Sequence, residues 1–171
     1  MKIQANFSKQ IISSNSVEAF SLQKKSNFGE RVWEKIQYSL SEVLFLVDEG
    51  KMEVSFNRDV LSKKDLLKKL QKLDKNFELK YLVFRDLRKK GYILKAALKF
   101  GADFRVYPKG SKPGGEHAKW LVFVNHESKK LTWHEFSAKN RVAHSTKKNL
   151  LLAIVDDEGD LTYYEVKWLK P

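Results

Sequence analysis

At 171 residues, with 42% hydrophobic and 12% aromatic content, the chain can fill the core of one domain or of two small ones. Cysteine is absent, which excludes a disulfide framework, a thiolate metal site and a thiol nucleophile. The net charge of +12 is uneven: residues 1–76 hold 14 basic and 10 acidic side chains, net +4, and residues 77–171 hold 19 and 11, net +8.

A basic C-terminal half either attracts a polyanion or serves solubility, and charge alone leaves both open. The opening MKIQANFSKQ does not read as a signal peptide, because Lys2 is followed by no apolar h-region. Apolar runs such as Leu150 to Val155 fall far short of the roughly 20 residues that cross a bilayer. The expectation is a protein of the cytoplasm with no membrane segment.

In chain order, residues 2–13 read as short strands with a turn at Asn6 to Lys9. Ser16 is placed to cap a helix from Val17 to Lys24, and a loop follows at Ser26 to Gly29. Ser41 to Gly50 reads as a helix with Ser41 at its N-cap and Gly50 at C′. Met52 to Phe56 alternates as a strand. Ser62 to Leu73 has one stripe of Leu66, Leu67, Leu70 and Leu73, with lysines on the solvated side. These elements make a small α+β domain over residues 1–76.

The second domain is expected over residues 77–171. Phe77 to Lys90 is a helix ending in cations that suit its dipole. Strands are predicted at Tyr92 to Ala97, Ala102 to Tyr107, Lys119 to Asn125, Asn149 to Asp156 and Leu161 to Trp168. Thr132 and Glu135 form a capping box for a helix that runs to about His144. The fold class is therefore α/β (α+β), with a roughly five-stranded mixed sheet flanked by helices.

Tyr107, His117 and Lys148 each stand where one of these elements begins or ends, which is where a scaffold places working side chains. RNA carries its own nucleophile, the 2′-hydroxyl. Cleavage needs a base for that hydroxyl, an acid for the departing 5′-oxygen and positive charge at phosphorus. An imidazole, with an ordinary pKa of about 6.5, suits the acid. A phenol, ordinarily near ~10, serves as base when an ammonium stands beside it. Taken alone, such a set in a basic domain is open to many readings. No pair among His126, His134 and His144 has zinc spacing, so no metal or cofactor is expected.

The stretches YLVFRDLRKKGYILKAALKFGADFRVYPKG, GGEHAKWLVFV, RVAHSTKKNLLLAIVDDEGD and YYEVKWLKP resemble, in order and spacing, the archaeal tRNA-splicing endonuclease family. In the first half, SLSEVLFLVDEGKMEV resembles that family's helix–strand pair. The resemblance implies a nuclease-like C-terminal domain with Tyr107, His117 and Lys148 as catalytic residues. It implies precursor tRNA as substrate, cut at bulge-helix-bulge sites without metal, leaving a 2′,3′-cyclic phosphate and a 5′-hydroxyl. Arg141 matches the family's base-stacking arginine, with a second stacking residue expected near Tyr163. The acidic turn Asp156, Asp157, Glu158 and Asp160 corresponds to the family's subunit-assembly loop, although as a sequence it is also an ordinary solvated hairpin. Assembly is then expected as a homotetramer or with a non-catalytic homologous chain. Lys109, Lys112, Lys119 and Lys147 are further candidates for phosphate contact. Two competing readings remain: a metal-dependent restriction-like nuclease built on Asp103, Glu116 and Lys119, and a non-catalytic RNA-binding subunit.

Overall fold

The computed structural model describes residues 1–111, 114 and 116–171. It divides into two compact units, Met1–Tyr81 and Leu82–Pro171, each with its own sheet.

In the first unit, β1 (Ile3–Ser8) turns Ile3, Ala5 and Phe7 inward and their neighbours outward. It pairs antiparallel with β2 (Ile11–Ser14). The turn lies at Lys9 and Gln10, both at positive φ, rather than across Asn6 to Lys9. Asn6 stays in the strand because a break there would take Phe7 out of the core.

Helix α1 (Val17–Ser26) is capped by Ser16, whose side chain accepts from Ala19 N–H. A hairpin of β3 (Glu30–Val32) and β4 (Lys35–Tyr38), not anticipated from the sequence, adds to β2. Helix α2 (Leu40–Asp48) starts from Ser39 and not Ser41, which is buried inside it. The reason is Glu42. Its carboxylate accepts from the Ser39 N–H at 3.0 Å and hydroxyl at 2.9 Å, and from Gly29 N–H at 2.9 Å, while only 4% exposed. Gly29 sits at φ +73°, and any Cβ there would collide with Ile36 Cγ2.

β5 (Met52–Phe56) pairs parallel with β1, and β6 (Asp59–Val60) closes the order β3-β4-β2-β1-β5-β6. Helix α3 (Lys63–Leu73) is capped by Ser62 and buries Leu66 and Leu70. Lys69 leaves the expected solvated face, with Nζ 3.6 Å over the Phe56 ring.

Helix α4 (Phe77–Lys89) spans the division between the units. The second sheet contains β7 (Ile93–Ala96), β8 (Phe104–Tyr107), β9 (Trp120–His126), β10 (Asn149–Val155) and β11 (Leu161–Val166), in the order β11-β10-β9-β8-β7. All its pairings are antiparallel except β9 with β10, which α5 (Trp133–Ser145) connects as a crossover. On one face α5 lays Phe136, Val142 and Ala143 against Leu121, Phe123 and Leu150. On the other, Phe84 of α4 meets Phe104 at 5.8 Å between ring centres.

Replacing Glu42 by Ala is expected to cost the first unit about 2–4 kcal/mol, since two backbone donors and a cap lose their acceptor. Amide hydrogen exchange of α2 and β4 measures this, and unchanged protection contradicts it.

Candidate active site

The polarity of β9 decides which strand ends meet. β8 runs antiparallel to it and β10 parallel. The C-terminal end of β8 and the N-terminal ends of β9 and β10 therefore share one end of the sheet. Backbone bonds continue this alignment past the strands: Lys119 N–H donates to Val106 C=O at 2.8 Å, and Asn149 N–H to Lys119 C=O at 2.9 Å. Tyr107 is the last residue of β8, His117 stands three residues before β9, and Lys148 immediately precedes β10. With strands spaced ~4.8 Å, the Tyr107 and Lys148 backbones are about 10 Å apart across the start of β9.

Each position has a local cause. Tyr107 ends its strand because Pro108 has no N–H to continue the ladder. Lys148 is set by the end of α5. Lys147 N–H donates to His144 C=O at 2.9 Å and Lys148 N–H to Ala143 C=O at 2.9 Å, with Lys147 at φ 57°. This is a Schellman closure, made here by a lysine in the left-handed region rather than a glycine. It fixes the backbone from which the Lys148 side chain leaves.

Residues alternate along β8, so Tyr107 shares a face with Arg105, while Phe104 and Val106 take the α4 side. Lys148 lies on the Tyr107 side. Its Nζ stands 5.5 Å from the centre of the Phe100 ring, which packs on the core beneath α5. That Nζ donates to Thr146 C=O at 2.9 Å. Partial burial, and then repulsion from the Arg105 guanidinium, holds the ammonium below the usual lysine range. Arg105 is thus a component that the sequence reading missed. Its signal is the i, i+2 spacing from Tyr107 on one strand.

The three side chains differ in exposure. Tyr107 is 6% exposed, Lys148 is half-buried and His117 is open to solvent. Arg141 lies exposed on α5, the helix that covers the Tyr107 face. Tyr163 lies on the opposite face, where its hydroxyl donates to Asp86 at 2.7 Å. Burial and that bond to Asp86 raise its pKa far above the usual phenol range. His144 packs edge-on against Trp168 at 4.0 Å.

Of the residues of the competing metal-nuclease reading, Glu116 is exposed. Asp103 accepts from Val124 N–H at 2.8 Å, and Lys119 Nζ stands 4.4 Å over the Trp120 ring. Among the described residues, no three His, Asp or Glu side chains cluster as metal ligands. Lys112 lies outside the described residues.

In the acidic turn, Asp156 is turned inward on the loop itself. Its Oδ1 accepts from the N–H groups of Glu158 at 2.9 Å and Asp160 at 2.8 Å. Asp157 is braced by His126 Nε2 at 3.1 Å and by Glu127 Oε1, which accepts its N–H at 3.3 Å. Glu158 and Asp160 are exposed.

Residues 77–163 match the family described as tRNA intron endonuclease, catalytic C-terminal domain, and residues 3–67 match the tRNA intron endonuclease, N-terminal domain. The chain belongs to the tRNA intron endonuclease family, and its archaeal relatives are named tRNA-splicing endonuclease. That of Thermococcus kodakarensis is 43% identical over 149 residues, 87% of each chain. That of Methanothermobacter thermautotrophicus is 36% identical over 172 residues, the whole of both. That of Nanoarchaeum equitans is 43% identical over 151 residues, 84% of this chain and 97% of its own. The enzyme class that follows is an endonuclease of tRNA introns.

Arg105→Gln is expected to move the Lys148 titration upward, because it removes a repelling cation and leaves the burial. NMR titration of the Lys148 Nζ measures it, and a shift downward or none contradicts this electrostatic account.

Proposed function

We propose that this chain excises introns from precursor tRNA by cutting bulge-helix-bulge sites, with Tyr107 as general base, His117 as general acid and Lys148 as the positive charge at phosphorus. The observation that carries this reading is the common sheet end of the three residues, set by the β8–β9–β10 register.

Tyr107 takes the proton of the 2′-hydroxyl, and the freed oxygen attacks the adjacent phosphorus. The bond from phosphorus to the 5′-oxygen breaks as His117 delivers a proton to it. The products are a 2′,3′-cyclic phosphate and a 5′-hydroxyl; every heavy atom comes from the RNA, and the proton taken by Tyr107 is balanced by the one given by His117. Charge on the non-bridging oxygens grows in between, and a partly desolvated ammonium stabilises it more than one in bulk water. No step calls for a metal. Arg141 stacks its guanidinium plane on an unpaired base at the splice site, since RNA recognition favours bases splayed out of a helix.

Two cuts in one RNA require two sites at fixed separation, and one chain has one set. The functional unit is therefore an assembly, a homotetramer or a tetramer with a non-catalytic homologous chain, docked through Asp157, Glu158 and Asp160 with Asp156 shaping the loop. The cytoplasm is the proposed compartment; among the described residues, no helix is long and apolar enough to cross a membrane.

His117→Ala is expected to lower the cleavage rate of an intron-containing precursor tRNA by about 10²–10⁴-fold with binding retained. Cleavage undiminished by the substitution, or abolished by EDTA in the wild type, sinks this mechanism. A double reversal, Asp157→Lys with Glu158→Lys, is expected to lower the mass measured by light scattering. An unchanged mass removes the loop from assembly.

A further inference from the structure

On the face of the second sheet opposite Tyr107 is a pocket of about 220 Å³ that no part of the mechanism uses. Its walls are Leu87, Tyr92, Val106, Trp120, Leu151 and Tyr163, with Lys90 at the rim. Drug-sized ligands occupy roughly 300–1,000 Å³, so this space takes one flat ring and little more. Tyr92 and Trp120 meet edge to face at 5.8 Å, which fixes the two rings against one another.

The rings are held in place before anything binds. Trp120 Nε1 donates to Glu165 at 3.0 Å, and Asn149 Nδ2 donates to the same carboxylate oxygen at 2.7 Å. The Tyr163 hydroxyl and Lys90 Nζ both donate to Asp86, at 2.7 and 2.8 Å. Three ammonium groups lie over the three rings: Lys90 5.4 Å from Tyr163, Lys109 5.0 Å from Tyr92 and Lys119 4.4 Å from Trp120. A planar base entering the pocket replaces such an ammonium over the ring and leaves it free for the phosphate of the same nucleotide.

We propose that this pocket binds one unpaired nucleobase of the RNA, stacked on Trp120, with Lys90, Lys109 and Lys119 on the flanking phosphates. Aromatic faces rimmed by cations are what single-stranded RNA requires and what an apolar protein surface does not. The position fits as well. Val106 lines the pocket and Tyr107, the next residue, faces the other way, so the pocket and the proposed catalytic residues lie at the same end of the sheet on opposite faces. This inference rests on the endonuclease reading above for the identity of its ligand.

The test uses the full chain and an eight-nucleotide single-stranded 2′-O-methyl RNA, read by fluorescence anisotropy. Trp120→Ala is expected to weaken binding about 5- to 150-fold, the equivalent of ~1–3 kcal/mol per stacked base, and Trp120→Phe to retain most of the affinity. Lys119→Gln is expected to reduce the salt slope by about one. In the wild type, a 5-iodouridine version of the RNA is expected to photocross-link to Trp120, Tyr92 or Tyr163, an arm that needs no variant to fold. Wild-type affinity in Trp120→Ala, or cross-links confined to other residues, overturns the proposal. So does a loss of binding that tracks a change of oligomer mass in light scattering, which marks a subunit contact. Cleavage of precursor tRNA by the wild type is measured in parallel. If it fails, the endonuclease reading falls, while the oligonucleotide and cross-linking arms still decide the pocket.

Discussion

The backbone ladder on the two sides of β9 is the constraint on which the second unit depends. β9 is central, bonded antiparallel on one side and parallel on the other. A parallel neighbour requires a crossover, and α5 supplies it, so the chain leaves β9 at one end of the sheet and must return to the other before β10 starts. Lys148 is where it returns. The helix end and the strand start are joined by three residues, and two backbone bonds of the Schellman closure fix them. The side chains that follow or precede strands here are therefore held by main-chain hydrogen bonds, which do not depend on what is bound.

Charge on the Tyr107 face follows from the same ladder. Arg105 precedes Tyr107 by two positions and Lys148 lies across the start of β9, so the pleat turns all three to one side. Lys148 is partly withdrawn from water and repelled by Arg105, both of which disfavour its ammonium in the free protein. In the proposed reaction a phosphate reverses the balance, since it offers each cation an opposite charge where the effective dielectric is lower than in water. The depressed titration of Lys148 and the attraction proposed for a phosphodiester have one origin.

The sequence makes the second unit legible and the first only partly so. β9 and β10 are long, apolar and flanked by a capping box, so their place and type follow from pattern alone. β3 has all three residues exposed, and β4 alternates over only four residues, with Ile36 and Tyr38 buried, a run too short to mark the hairpin in the sequence. Its turn contains Trp33 at positive φ instead of a glycine, and Lys9–Gln10 and Lys147 repeat the omission. Ser39 and Ser41 are equivalent as letters. The choice between them was made by Glu42, which reaches both the cap and Gly29. For the site, the strand ends were readable. The burial of Tyr107 and the facing of Tyr163 were not, because each depends on register across strands far apart in sequence. Tyr92, Trp120 and Tyr163 have no shared motif for the same reason; the sheet alone brings them together.

The acidic turn and the Tyr107 end lie at opposite ends of one strand. β9 begins beside Lys119 and ends at His126, whose imidazole braces Asp157. Seven extended residues at ~3.3 Å each put about 20 Å between those ends. The turn is also pre-shaped, because Asp156 satisfies two of its backbone donors and leaves Glu158 and Asp160 pointing to solvent. A loop this short and this internally bonded has no slack with which to reach back along the sheet. In the proposed assembly, the exposed Glu158 and Asp160 meet the basic surface of a second copy or of a homologous chain, as a net charge of +12 favours. The same strand that aligns the proposed catalytic residues at one end thus holds out, at the other, the turn by which the proposed assembly keeps two sets of them at a fixed distance.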